Sequence, residues 1–437
     1  MEKTYLSIEI SLTTIIIVGL FFIGLGYLNT KKIYNNRNYI VGDRDENLFS
    51  LTASLTASAL GAWILFGPSS AATWGGIGAV IGYALGTAAP MLFLYNFGPK
   101  IREEFPNGLT LTEFIKKRFG IKILKLCLFL ILFYLTIFLI AEVTAIASLM
   151  KFISQVPLWI TSGIILTICL LYILRGGFKL SIITDKYQFC FIILIIITSV
   201  FIILGNIDLS SYELIKQNSP NLINKNYLPN YTSGLTFFIA VAATNLFHQG
   251  NWQRVYAAKD YQTLKTGLII SFFIIIPIVF LMGFIGMVSF SIDPSVRPDL
   301  GFFSLLLKDQ IEILSLLIVI LGLALTISTV DTLVNAISSL FIVDGKATFN
   351  LDKKTDYLKI SKYFILILSV IAFGVASKGF DILYLFLLAD LFCCAFVVTV
   401  FYSFYNKVDE KTAYVSIIIG LVAGFLIFPL PDFSNSL

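Results

Sequence analysis

The residues with the clearest capacity for chemistry lie in one run, Thr326-Ile327-Ser328-Thr329-Val330-Asp331-Thr332. Ser328 and Thr329 offer hydroxyl oxygens, and Asp331 follows Ser328 by about one helical turn. Oxygens of this kind suit a hard cation such as sodium. The alternative use is local, each hydroxyl bonding back to a carbonyl of the preceding turn. Asp331 demands more, because a carboxylate inside an apolar run needs a partner. A second carboxylate, Asp185, lies in Arg175-Gly-Gly-Phe-Lys179-Leu-Ser-Ile-Ile-Thr184-Asp185-Lys186. Two uses are open for it: an ion path, or pairing with Lys186 or Lys179 at an interface.

A third run, Thr244-Asn245-Leu-Phe-His248-Gln249-Gly250-Asn251-Trp252-Gln253-Arg254, holds the chain's one histidine. Asn245, His248 and Asn251 recur at helical spacing and would share one face. Such a polar and aromatic stripe suits hydrogen bonding to a solute; the alternative for a lone histidine is packing. In the fourth run, Leu55-Thr-Ala57-Ser58-Ala-Leu60-Gly-Ala-Trp63-Ile-Leu-Phe-Gly67-Pro68, small residues precede Gly67-Pro68. Pro68 removes a backbone hydrogen bond. A helix broken there frees carbonyls for a cation and amides for an anion. The alternative is close helix packing through small residues.

Enzyme motifs are missing. A single histidine excludes HExxH, and no GxGxxG opens a βαβ unit. There is no P-loop lysine motif to support ATP drive and no G-x-S-x-G elbow. The five cysteines, Cys127, Cys169, Cys190, Cys393 and Cys394, fall in apolar stretches without zinc-like or paired-loop spacing and read as small buried hydrophobes. No organic cofactor and no nucleic-acid partner is expected.

The elements that must position these residues follow from composition. The 437 residues are 57% hydrophobic and 13% charged, with mean hydropathy +0.89. That little charge cannot cover so much apolar bulk in water, so lipid is the expected outer solvent. Backbone groups in hydrocarbon must be satisfied within each span, which predicts an all-α polytopic membrane protein. Unbroken runs such as Ile193–Leu204 exclude the alternation of a β-barrel. Apolar runs predict spans at 5–29, 49–72, 74–97, 121–153, 157–174, 179–205, 233–250, 262–292, 302–343, 358–377, 379–405 and 412–430, about twelve crossings. The 302–343 stretch is too long for one span, so its first part, up to about Gln310, is expected as a separate short helix.

The basic segments Lys31–Arg44, Lys100–Lys125, Arg175–Lys186, Arg254–Lys265, Lys346–Lys362 and Lys407–Lys411 occupy every second loop. This alternation predicts an even number of spans with both termini outside. The net charge of +5 sits in these loops and reports topology. The first run, Ile8–Leu28, is long enough to span and lacks a small-residue cleavage site, so a helix is expected there and not a signal peptide. One transmembrane domain over residues 1–437 is expected, with no soluble module before or after it.

Taken together, the chain resembles the sodium:solute symporter family, which includes proline, pantothenate, urea and sugar–sodium cotransporters. The resemblance runs from about residue 40 to 430. It is carried by Val41-Gly-Asp-Arg44, Ala57–Trp63, Gly98-Pro-Lys-Ile-Arg102, Leu109-Thr-Leu-Thr-Glu-Phe114 with Arg118-Phe-Gly120, Gly176-Gly177 with Thr184-Asp185, Gln249 with Trp252-Gln-Arg254 and Ala257-Ala-Lys-Asp260, and Ser328-Thr329 with Asp331. Their order and spacing together are specific.

The resemblance implies a leucine-transporter-like core over residues 49–405, two inverted five-helix repeats with discontinuous first and sixth helices, flanked by one helix before and one after. It implies a sodium ion held by the carbonyls of Ala57, Leu60 and Leu325 and the hydroxyls of Ser328 and Thr329. Asp185 would lie near the ion's inward path, and Asp331 with Thr332 would stand where some members bind a second cation. The solute would contact Ser58 and Trp63 on the first core helix and Asn245, His248, Gln249 and Asn251 on the sixth. Proline-type members carry an acid where this chain has Ala59, a departure that loosens the link to proline. The implied function is sodium-coupled symport of a small polar organic solute, such as an amino acid like proline or urea, across the cell's inner (plasma) membrane. The absence of an arginine deep in a span favours a neutral or zwitterionic solute. A proton-coupled carrier using Asp185 or Asp331, and a transporter-like sensor, are the alternative readings.

Overall fold

Long Leu, Ile, Phe and Val runs can satisfy their backbone groups in lipid only as helices, and helices are what they form. The computed structural model describes residues 4–29, 36–206, 210–349 and 356–429, and no strand occurs among them. Of the basic segments, residues 31–35 and 350–355 lie outside the described residues, as does residue 430 of the last expected span.

In chain order the helices are α1 (Ile8–Asn29), α2 (Asn36–Val41), α3 (Leu48–Ala59), α4 (Gly67–Glu104), α5 (Leu111–Phe119), α6 (Ile121–Ser154), α7 (Leu158–Asn206) and α8 (Ser210–Asn218). They continue with α9 (Leu228–Phe247), α10 (Gln249–Ala257), α11 (Tyr261–Ile292), α12 (Gly301–Leu306), α13 (Glu312–Phe349), α14 (Tyr357–Ala376), α15 (Ile382–Tyr402) and α16 (Glu410–Ile427). Nine helices among the described residues are long and apolar enough to cross a membrane. The expected short helix before the 312–349 span is present as α12.

Polar side chains set several starting points. Asn47 caps α3, Asp260 caps α11, Asp356 caps α14, Asp381 caps α15 and Asp409 caps α16, each accepting from a backbone N–H of the first turn. Glycines set the internal breaks. The 49 residues of α7 would extend roughly 74 Å if straight, far beyond a bilayer core of about 30 Å. Gly177, at φ 55°, breaks it between the two expected spans, and Gly76, at φ 54°, breaks α4 in the same way.

The packed centre is made by α4 against α11 and α9 and by α13 against α6 and α7. Leu194, Phe201, Phe273 and Val398 are exposed on the outside, as lipid-facing side chains should be. Cys127, Cys169 and Cys393 are buried as expected, whereas Cys190 is exposed on α7 and Cys394 is half-buried. The apolar run around Cys190 faces outward, so hydrophobicity there marks lipid contact and not core.

Candidate ion and solute site

The first core helix is interrupted, though not where the proline predicts. α3 ends at Ala59, Leu60 leaves helical geometry at φ −100°, ψ 79°, and Gly61 is extended. A 3-10 turn over Ala62–Leu65 follows before α4 starts at Gly67. Pro68 therefore sits in the first turn of α4, where its missing N–H is harmless. The break has a different cause. Glu142 of α6, fully buried, accepts the Ala62 N–H at 2.9 Å. In a continuous helix that amide would donate to the Ser58 carbonyl. A Cβ on Gly61 would stand 2.2 Å from Glu142 Oε1, so the carboxylate approaches this closely only because residue 61 is glycine. The last-turn carbonyls of α3 thereby lose their in-helix donors.

The sixth core helix also breaks. α9 stops at Phe247, His248 is extended at φ −64°, ψ 105°, and α10 begins at Gln249. Asn245, His248 and Asn251 thus do not form one continuous face. Asn251 Nδ2 donates to the Asn245 carbonyl at 2.9 Å and Trp252 Nε1 to the Leu246 carbonyl at 2.8 Å, so both side chains close the frayed end of α9. Gln249 is occupied elsewhere. Its Nε2 donates to the Leu109 carbonyl at 2.9 Å, and its Oε1 accepts the Leu111 N–H at 3.2 Å.

Asp185 is a junction of four helices. Its Oδ2 accepts from Ser54 Oγ on α3 at 2.5 Å and from Arg254 Nη2 on α10 at 2.9 Å; its Oδ1 accepts from Ser328 Oγ on α13 at 2.6 Å. The partner is therefore Arg254 and neither Lys186 nor Lys179; Lys179 pairs with Asp43 instead. Arg254, expected at the edge of a basic loop, is fully buried. One arginine does lie deep in the protein, but its charge is used by Asp185. Asp331 accepts from Tyr172 at 2.8 Å, Ser181 at 2.7 Å, Thr184 at 3.2 Å and Thr332 at 3.3 Å, and among the described residues it makes no ion pair. Thr329 Oγ1 donates to the Leu325 carbonyl at 3.1 Å, the local use of a helix hydroxyl, and still leaves lone pairs on Oγ1.

Between α3, α6, α9 and α15 lies a cavity of about 20 Å³, room for a single water. Ser58, Ala59, Trp63, Tyr83, Phe138, Val241, Asn245, His248, Phe386 and Asp390 line it. Four expected solute contacts, Ser58, Trp63, Asn245 and His248, are brought together here, while Gln249 and Asn251 are not in the lining.

Comparison with known proteins settles the family. The model of the sodium:solute symporter family matches residues 39–420. The chain belongs to the sodium:solute symporter family. It is 27% identical over 390 residues to the spermidine transporter DUR31 of Candida albicans, covering 87% of this chain and 72% of that one. It is 29% identical over 177 residues to the high-affinity proline transporter PutP of Bacillus subtilis, covering 38% of this chain and 36% of that one. A substrate-bound, outward-open sodium-coupled sialic acid symporter shares the fold at a TM-score of 0.72 and 15% identity, over 96% of this chain and 98% of that chain. A mutant manganese transporter of Eremococcus coleocola superposes at a TM-score of 0.54 and 13% identity, over 87% and 85%. This symporter is accordingly a membrane transporter and not an enzyme.

Ala57, Leu60, Leu325, Ser328 and Thr329 are all buried, and α3 with its 3-10 turn packs on α13. The sequence reading missed Glu142, which breaks the first core helix, and Asp390, Tyr83, Phe138 and Phe386, which complete the cavity. Glu142 and Asp390 carried a readable signal, since each is an acid within an apolar run. The aromatics carried none, because Phe and Tyr are common in every span.

Proposed function

We propose that this symporter carries a small polar organic solute across the cell's inner (plasma) membrane with sodium, by alternating access. One transmembrane domain with twelve crossings and both ends outside suits this reading, counting α4 and α7 as divided at Gly76 and Gly177 and the broken α9–α10 as one further crossing. Sodium enters from outside and is held by the carbonyls of Ala57, Leu60 and Leu325 with Ser328 and Thr329. The observation that carries the reading is the pairing of donor-stripped carbonyls at the end of α3 with two buried hydroxyls on α13 in a member of this family. Oxygen ligands of that kind match a hard monovalent ion.

Holding the ion fixes the interrupted α3 against α13 and completes the adjoining cavity. A cavity with room for one water admits no organic solute, so loading and release both require the helices around it to part. Moving one charge through 100 mV supplies about 2.3 kcal/mol, roughly fifty-fold accumulation per sodium. Asp185, one hydrogen bond from Ser328, guides the departing ion inward. The two named relatives carry spermidine and proline, both nitrogenous solutes.

Uptake of radiolabelled proline and spermidine into proteoliposomes, with sodium and proton gradients imposed separately, tests the coupling. Uptake of either solute is expected with the sodium gradient alone; uptake driven by protons in sodium-free buffer overturns it. Asp331, a buried acid with four hydroxyl partners and no ion pair, supports a second coupling ion at Asp331 and Thr332. An Asp331→Asn variant that leaves the number of charges moved per solute unchanged excludes that second ion.

A further inference from the structure

One buried carboxylate takes no part in the sodium chemistry above. Asp390, on α15, lines the cavity and is only 4% exposed. Its Oδ1 accepts from Thr244 Oγ1 at 2.5 Å. Among the described residues no basic side chain pairs with it, and the nearest deep arginine, Arg254, belongs to Asp185. A carboxylate at this depth is costly unless a cation accompanies it or it takes up a proton.

The rest of the lining fits a cation as well. Trp63 stacks on Tyr83 with ring centroids 5.2 Å apart, Phe386 meets Trp63 at 6.3 Å, and Phe138 meets Phe386 at 4.6 Å and His248 at 6.3 Å. Aromatic faces grouped around a small space attract cations through their ring quadrupoles. Two polar hydrogens of the lining are taken by carbonyls of their own helix. Ser58 Oγ donates to the Ser54 carbonyl at 2.7 Å and Asn245 Nδ2 to the Val241 carbonyl at 2.9 Å. The acceptors that the lining offers are the Asp390 carboxylate, the Asn245 side-chain oxygen and the Ser58 lone pairs. His248, also in the lining, has a buried Nδ1 beside Gly250 that finds no hydrogen-bond partner among the described residues. Glu142, one turn beyond Phe138 on α6, adds a second buried acid behind Gly61.

We propose that this cavity selects a small organic cation bearing a protonated amino group. Asp390 is its counter-ion, Asn245 and His248 accept its remaining N–H groups, and Trp63, Tyr83, Phe138 and Phe386 enclose it. The inference rests on the reading that this cavity is the solute site, and it narrows the solute from small and polar to cationic. The carboxylate of a zwitterion would lie in a cavity that has no lysine or arginine in its lining and already holds one acidic group. Urea would leave Asp390 without a counter-charge. The structure thus points away from the neutral or zwitterionic solute that the sequence favoured, because that argument looked for buried arginines and overlooked a buried acid.

Isothermal calorimetry on the purified full-length protein tests this with putrescine, spermidine, proline and urea, each in sodium and again in potassium. Binding of the two amines and not of proline or urea is expected. Asp390→Asn is expected to weaken amine binding roughly tenfold or more, with partial recovery in Asp390→Glu. The sodium concentration that half-raises the unfolding temperature should be the same in both variants. Binding of proline or urea in place of the amines overturns the proposal, as does unchanged amine affinity in Asp390→Asn. A loss of sodium affinity with unchanged amine affinity also overturns it, by assigning Asp390 to an inorganic cation. If neither Asp390 variant folds, Phe386→Leu keeps the charge and should weaken amine binding several-fold; no change there overturns the aromatic enclosure. The two readings fail separately. Amines that bind equally in sodium and potassium defeat sodium coupling and leave this proposal standing; sodium-dependent binding of proline alone does the reverse.

Discussion

Arg254 of α10 and Asp185 of α7 form an ion pair at 2.9 Å with both side chains essentially inaccessible. Ser54 and Thr332 also bond to the guanidinium, at 2.8 and 3.1 Å, so the pair ties α3, α7, α10 and α13 together beside the two residues expected to hold sodium. Desolvating two charges offsets most of their attraction, but removing one partner strands the other.

Arg254→Met and Asp185→Asn, made singly, should therefore each destabilise the protein by about 3–5 kcal/mol. The combined Arg254→Met/Asp185→Leu protein should unfold closer to the wild-type temperature than either single variant, without regaining transport. Thermal unfolding of the three proteins in detergent reads this. Additive losses would mean the two side chains act independently.

Ser328 has two tasks, since its hydroxyl donates to Asp185 at 2.6 Å and its oxygen is an expected sodium ligand. Among the described residues the Thr329 hydroxyl has one hydrogen-bond partner, the Leu325 carbonyl. Ser328→Ala with Thr329→Ala should raise the half-saturating sodium concentration at least tenfold, on the scale of one or two lost ligands. Sodium titration of solute uptake checks it; an unmoved midpoint removes this site.

The sequence read well where one local rule decides the outcome. Long apolar runs specify spans; Gly177 marks a break between two expected helices, and Gly76 marks one just inside the expected 74–97 span. The run Thr326–Thr332 gave Ser328, Thr329 and Asp331, all buried on α13. Reading failed where a distant residue decides. Pro68 looks like the breaker of the first core helix, but Glu142, 80 residues away in the chain, takes the Ala62 amide and puts the break at Leu60–Gly61. Arg254 looks like a loop charge until Asp185 draws it into the interior. Helical spacing placed Asn251 beside His248, yet the extended backbone at His248 ends the periodicity on which that argument depends.

The contact between Glu142 and Gly61 carries its own expectation. Gly61→Ala puts a methyl where the carboxylate lies, and the new Cβ would also meet Trp63 Cδ1 at 2.7 Å. Glu142→Ala instead leaves the Ala62 N–H buried without its acceptor, at a cost of about 1–3 kcal/mol. Both should cut sodium-driven uptake severely, and Glu142→Gln, whose amide oxygen still accepts that N–H, should retain more than Glu142→Ala. Equal activity in Glu142→Gln and Glu142→Ala would show that the hydrogen bond does not hold the break open.

Gln249 binds at both ends of its amide to the segment leading into α5, through the Leu109 carbonyl and the Leu111 N–H. Nearby, Arg44 bonds the carbonyls of Pro106 and Gly108, Arg102 bonds the Ala258 carbonyl at 2.6 Å, and Thr112 donates to Asp344 at 2.5 Å. On the proposed topology these ties lie on the inner side, and they join α10 to the start of α5. Gln249→Ala loses two hydrogen bonds; if these ties form only when that side is closed, the balance should move toward the inward-facing form. With the native cysteines replaced and Asn245→Cys as a reporter in the cavity lining, a maleimide applied from the inner face of inside-out vesicles should label several-fold faster in Gln249→Ala than in the parent. Identical labelling rates would mean that Gln249 braces the α5 segment in every conformation and does not gate the cavity.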